Sequence, residues 1–162
     1  MLTAERLRAA LHYDPATGVF EWLVSRPNCR AGDVAGCPTR YGYVYVGLDG
    51  RKYMAHQLAW LWMTGAWPAI RLDHRDLDKA NNRWTNLRQA TRSQNGANTK
   101  VSRKSASGLK GITQDKRSGR WYAAITVNQK RRKLGGHDTA EAAHAAYVKA
   151  AAEAFGEFAR AA

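Results

Sequence analysis

Cysteine is almost missing from this chain. Two residues of 162, Cys29 and Cys37, cannot build a disulfide framework, and no CxxC or Cys/His spacing offers a zinc ligand set. Free thiols of an intracellular protein are the expectation. Long apolar runs are absent too, so no segment reads as a membrane span. The opening MLTAERLRAAL interleaves charge with apolar residues and has no signal-peptide core, so a cytoplasmic protein without membrane partners is expected. Acidic residues are scarce: 13 Asp/Glu stand against 26 Lys/Arg, a net charge of +13. The imbalance is local. Residues 1–73 hold eight basic residues against six acidic ones, whereas residues 83–137 hold fourteen against one, Asp115. A generally soluble basic surface scatters its charge. A concentrated one points to a polyanion, because each neutralised phosphate releases condensed counterions.

Aromatic residues are plentiful by comparison. Six tryptophans and seven tyrosines argue for folded structure rather than a disordered basic tail, and the length allows one medium domain or two small ones. Thr3 can cap a short helix with Leu7, Ala10 and Leu11 on one face. Asp14–Gly18 reads as a turn and Val19–Leu23 as a strand. Residues 25–40 look irregular. Tyr43–Val46 and Arg51–Met54 form a hairpin about Asp49-Gly50, and residues 55–65 an apolar helix ended by Gly65. His56 on that helix, and Trp60, Trp62 and Trp67, are expected in the core, with Trp67 close enough in sequence to line a neighbouring site. A short strand, Ile70–Asp73, delivers His74. A helix can start at Thr91 or Ser93, with Gln94 and Asn95 in its first turn.

The stretch Leu72–Asn98, LDHRDLDKANNRWTNLRQATRSQNGAN, carries the candidate chemistry. Phosphodiester hydrolysis needs a positioned water, neutralised phosphoryl oxygens and a stabilised leaving alkoxide, and a divalent metal can supply the last two. Asp73 and Asn95 offer a carboxylate and an amide oxygen, which suit Mg²⁺ (or Mn²⁺), one ion per site. A strand end and a following helix could converge on that ion. His74, at the end of its strand, could act as general base near neutral pH. Asn86 suits a loop-fixing role that sets the imidazole's orientation. On these residues alone a nuclease and a plain DNA-binding domain are both open. For Asn81, Asn82 and Asn86 simple turn chemistry is an equally ready explanation.

The run AHQLAWLWMTGAWP…LDHRDLDKANNRWTNLRQATRSQNGAN resembles HNH endonucleases of the phage and homing type, and the resemblance extends upstream through YDPATGVFEW and RYGYVYVGLDGRKYMAHQLAW. It implies a ββα-metal (His-Me finger) core, about residues 70–98, within an HNH module at 1–98. Carried over, His74 is the general base, Asn86 the loop-fixing asparagine, and Asp73 and Asn95 the metal ligands, with Asn82 and Asn98 in support.

Residues 99–107 are short, basic and Ser-rich, the composition of a linker. Beyond them, KGIT, RWYAAI, KLGG-x-DTAEAA and AAYVKAA are similar to the Apetala-type (ethylene-response-factor) DNA-binding domain, here 108–162. That resemblance implies a three-stranded antiparallel sheet packed on one helix and laid in the DNA major groove. Lys110–Thr113, Trp121–Val127 and Lys130–Leu134 are the expected strands, and Asp138-x-x-Glu141 the expected capping pair of the helix. Alternation turns Trp121, Ala123 and Ile125 toward the helix, and Tyr122, Ala124 and Thr126 outward. Lys110, Thr113, Arg131 and Lys133 should share the outward face, with Arg117 and Arg120 around the turn, and Arg103 and Lys104 contacting DNA from the linker. Thr113, Asp115, Ala124 and Thr126 stand where the plant proteins often carry charged or base-reading residues, so their target site does not transfer. His137 occupies a position that is usually aromatic.

The expectation is therefore an α+β chain of two modules, an HNH module that cuts duplex DNA and a C-terminal module that places it. One site per chain favours nicking by a monomer or weak dimer. If the gene is carried by a phage or prophage, the setting is the cytoplasm of a bacterial host. The alternative is a non-catalytic DNA-binding regulator that keeps the HNH scaffold.

Overall fold

The structure, a computed structural model, describes residues 1–102, 105 and 107–160, so Arg103 and Lys104 lie outside the described residues. Four helices and several small antiparallel sheets make a mixed α+β chain among the described residues. It divides into two compact units, Met1–Gln89 and Ala90–Ala162. Composition changes at 99–107, whereas this division lies earlier, so the helix bearing Asn95 falls in the second unit. No described helix is long and apolar enough to cross a membrane.

In the first unit, α1 (Ala4–Ala10) starts at Thr3, whose hydroxyl accepts the Arg6 N–H, and buries Ala4, Leu7 and Ala10. The chain runs directly into β1 (Leu11–Asp14), paired with β2 (Val19–Trp22) across the Asp14–Gly18 turn. β1 is not visible in sequence because Leu11 continues the helical apolar face with no breaker before it. Two short strands, β3 (Val34–Ala35) and β4 (Cys37–Pro38), punctuate the irregular stretch. β5 (Val44–Leu48) and β6 (Arg51–Met54) form the expected hairpin. Its turn residues Asp49 and Gly50 have φ of +50° and +74°, the pair of left-handed residues that matches strand twist. α2 (Ala55–Thr64) ends at Gly65, whose N–H returns to the Leu61 carbonyl. Leu7, Leu11, Tyr13, Phe20, Val46, Leu58 and Leu61 meet in one core.

That core is the bed for β7 (Leu72–His74), β8 (Leu87–Gln89) and the loop between them. The Tyr13 hydroxyl, inside the core, donates to the Asn82 carbonyl at 2.6 Å. Trp84 N–H donates to the Pro15 carbonyl at 3.0 Å. Gly18, at φ +78°, presses on the same loop so closely that a Cβ would meet the Asn82 carbonyl carbon at 2.4 Å.

In the second unit, α3 (Arg92–Ala97) opens on a reciprocal cap. The Thr91 hydroxyl accepts the Gln94 N–H, and the Gln94 side chain accepts the Thr91 N–H. β9 (Ile112–Gln114), β10 (Trp121–Val127) and β11 (Lys130–His137) form an antiparallel sheet with β10 in the middle. α4 (Ala140–Phe155) packs on one face. Ala123 and Ile125 are buried and Tyr122 and Thr126 exposed, as alternation requires. Three details differ from expectation. β11 passes through Gly135-Gly136, with an irregularity opposite Ala123/Ala124; Tyr122 sits across from Gly136, where a Cβ would meet its ring at 2.9 Å. The N-cap of α4 is Thr139, accepting from Ala142 N–H, while Asp138 instead pairs with Arg120 at 3.3 Å. β9 begins two residues later than expected, which takes Lys110 out of the strand.

Candidate active site

The buried polar side chains of the first unit are His56, Asp73, His74, Asn82, Asn86 and Arg88. Burying such groups is costly unless they are paired, so their arrangement carries information. In the β7–β8 pair Asp73 stands opposite Arg88 and His74 opposite Leu87. Cross-strand partners share a face, and Arg88 donates to Asp73 Oδ2 from both Nε and Nη2 at 3.0 Å. Both side chains are more than nine-tenths buried. Arg88 carried no sequence signal: nothing in a one-dimensional pattern told which residue would face Asp73.

His74, one residue further, is buried at the strand end. Its Nε2 lies 3.5 Å from Asn82 Oδ1. An amide oxygen only accepts, so a hydrogen bond here requires the tautomer with the proton on Nε2. Burial holds the imidazole below its ordinary value, opposed by Asn82 and by the carboxylates of Asp76, Asp73 and Asp78. Asn82 thus touches the histidine itself.

Asn86 works one layer out. Its amide nitrogen donates to Asp76 Oδ1 at 2.9 Å and to the Asn81 carbonyl at 2.8 Å, and its Oδ1 accepts the Asp76 N–H. Asp76 also accepts from the Asn81 side chain and from the Asp78 N–H. Burial works to raise the Asp76 carboxyl, but these bonds outweigh it and hold it below the usual carboxylate range. Asp76 is therefore the knot of the loop, a role absent from the sequence reading.

His56 was expected to be a packed, hydrogen-bonded core residue. It is packed: its ring centroid is 5.2 Å from that of His74 in an edge-on arrangement, and Tyr43 lies against both. Its Nδ1, however, is buried with no hydrogen-bond partner. Burial first, and the neighbouring His74 second, push its pKa down to about 4. Trp67 packs on Tyr53 and donates to the Leu2 carbonyl, while Trp60 pairs with Trp84.

Asn95 is half-buried on α3 in the second unit, and Asn98 is buried at that helix's end. Among the described residues no group of three or more His, Cys, Asp or Glu is gathered to hold a metal. A hard cation here would rely on oxygen donors, Asp73 and an amide, completed by water and phosphate. Arg88 occupies Asp73 Oδ2, and a carboxylate has about four acceptor sites.

On the C-terminal sheet, Tyr122 faces Thr113, and Thr126 faces Arg131, across the strands, with Lys133 opposite Ala124. These five candidate DNA contacts therefore share one face. Arg117 and Arg120 are exposed at the β9–β10 turn. Lys110 departs from that face: its ammonium donates to the Ala97 and Thr99 carbonyls at the end of α3, a use that suits a cation at a helix C-terminus.

Residues 53–97 match the family model described as HNH endonuclease. The match supports an HNH endonuclease domain there, and with it a nuclease or DNA-binding function in general terms. It spans α2, the whole Asp73–Arg88 loop system and α3, and it contains every buried polar residue of the first unit. Comparisons with curated proteins and with solved structures give no match. The match ends before the C-terminal sheet, and no comparison supports an Apetala-type domain there.

Proposed function

We propose that the protein is a metal-dependent endonuclease that nicks duplex DNA and is positioned by its basic C-terminal sheet. The observation that carries this reading is His74. It is an imidazole whose pKa burial lowers, with Nε2 facing Asn82 Oδ1 inside the matched segment. In the tautomer with the proton on Nε2, Nδ1 takes the proton from the attacking water. Asn82 holds the tautomer, while Asn86 and Asp76 keep the loop in shape. Asp73 and Asn95 would hold one Mg²⁺ or Mn²⁺. When bound, that ion supplies charge neutralisation on the phosphate and stabilisation of the leaving 3′ oxygen. Cleavage of the 3′ bond leaves a 5′-phosphate and a 3′-hydroxyl. Thr113, Tyr122, Thr126, Arg131 and Lys133, with Arg117, Arg120 and the linker cations Arg103 and Lys104, contact DNA mainly through phosphates.

One observation favours the rival, a DNA-binding regulator on an HNH scaffold: Asp73 is engaged by Arg88. Supercoiled plasmid with Mg²⁺ separates the two. The wild type should convert it to nicked circles, and His74→Ala should be slower by about 10²–10⁴-fold, the usual worth of a general base. A wild type that binds plasmid but never nicks it, on bacterial and phage genomes alike, leaves the regulator standing.

A further inference from the structure

The turn joining β4 to β5, Thr39–Tyr43, is the feature that the proposed chemistry leaves unexplained. It is rigid at its base. Thr39 Oγ1 accepts the N–H groups of Tyr41 and Tyr43, and Thr39 N–H bonds to the Tyr43 carbonyl. It is also fastened to the site. The Tyr43 ring lies against His56 and His74, 5.5 and 6.1 Å between centroids. Lys79, on the β7–β8 loop, donates to the Tyr41 carbonyl at 3.3 Å and stands 4.9 Å over the Tyr43 ring. Beyond this anchored base the tip is open: Tyr41 is 62% exposed, and Arg40 stacks 4.6 Å over its ring and bonds its hydroxyl.

An exposed tyrosine carrying a guanidinium, with an ammonium on the adjoining loop, does nothing for the core. Its chemistry is that of a polyanion with flat faces, where cations meet phosphates and an aromatic ring meets a sugar or a base. A tip tied to His74 through Tyr43 holds such a strand at a fixed offset from the imidazole. We infer that Arg40, Tyr41 and Lys79 form a strand grip that binds duplex DNA beside the phosphate addressed by His74, with Arg40 and Lys79 on flanking phosphates and Tyr41 against the nucleoside. This rests on the duplex-DNA part of the function proposed above, and it does not depend on cleavage or on a metal.

The test uses the full chain in EDTA and a short fluorescein-labelled duplex of mixed sequence, with affinity measured by anisotropy across a salt series. Arg40→Gln and Lys79→Gln should each lower the slope of log affinity against log salt by about one, and together by about two. Lys79→Arg keeps the charge and should restore the slope, which separates a phosphate contact from a turn-bracing role. Tyr41→Ala should weaken binding about three- to tenfold with the slope unchanged. Melting temperatures should match the wild type, since Arg40, Tyr41 and Lys79 are all exposed. Wild-type affinity and slope in all the variants would overturn the grip even if plasmid nicking is found. Reduced slopes in a protein that never nicks would keep the grip and remove the nuclease. A wild type that does not bind duplex DNA removes both.

Discussion

The two compact units differ most in what they do with polar side chains. Between His56 and Arg88 the first unit buries six of them, tied by an ion pair, an asparagine–carboxylate knot and edge-on rings. In the second unit only Asn98 is in that class among the described residues; its cations stand on an open sheet face or cap carbonyls. The contrast matches the two tasks in the proposed function. A proton transfer needs groups held in one orientation and away from water, and fixing them requires burial with partners. Phosphate contact works through solvent-exposed charge and tolerates side-chain freedom.

If this contrast is right, single substitutions should hurt the two halves unequally. The largest effect on stability is expected from Arg88→Met. It leaves the Asp73 carboxylate buried without its guanidinium, and breaking such a pair costs about 3–5 kcal/mol; urea unfolding measures it. A loss within about 0.5 kcal/mol, the range of ordinary surface substitutions, would mean the polar cluster is no more constrained than the exterior.

Acid comes next. His56 has a folded-state pKa pushed down to about 4, below the unfolded value near 6.5. The unfolded chain therefore takes up the proton first, and stability present above about pH 6.5 is lost as pH falls toward 4. Over that window the loss is on the order of 3 kcal/mol, with the lowered His74 acting in the same direction. Unfolding curves at stepped pH should show the decline, and His56→Leu should flatten it.

Smaller changes are expected in the second unit. Thr91→Ala removes one half of the reciprocal cap on α3 and should cost about 1 kcal/mol in chemical denaturation. Arg131→Gln and Lys133→Gln, both exposed, should shift stability by no more than about 0.5 kcal/mol. Each should still lower the salt slope of DNA binding by about one. Large destabilisation from either would dissolve the distinction between the halves.

Legibility in the sequence follows the same divide. The C-terminal sheet and helix could be read almost residue by residue, because alternation along WYAAITV is a local signal and the burial pattern repeats it. The departures there are decided by neighbours that composition does not show: Asp138 pairs with Arg120 and leaves the cap to Thr139, Lys110 bonds the carbonyls at the end of α3 instead of entering β9, and β11 continues through Gly135-Gly136. In the first unit His74 and Asn86 could be singled out as residue types. Arg88 and Asp76 could not, and Asn82 was named only in support, since all three act through pairings that no periodicity encodes. His56 shows the limit clearly. Its helix was evident, while its contact with His74 and its unpaired Nδ1 depend on how that helix lies on a distant strand.

The bond from Tyr13 to Asn82 joins positions 69 residues apart, and Gly18 presses on the same peptide. Closing so long a loop comes late, because its entropy must be spent before the contact returns anything. During synthesis from the N-terminus this contact has both its partners only after Asn82 has been made. A nascent chain that stops short of it carries the β1–β2 segment without the loop that surrounds His74.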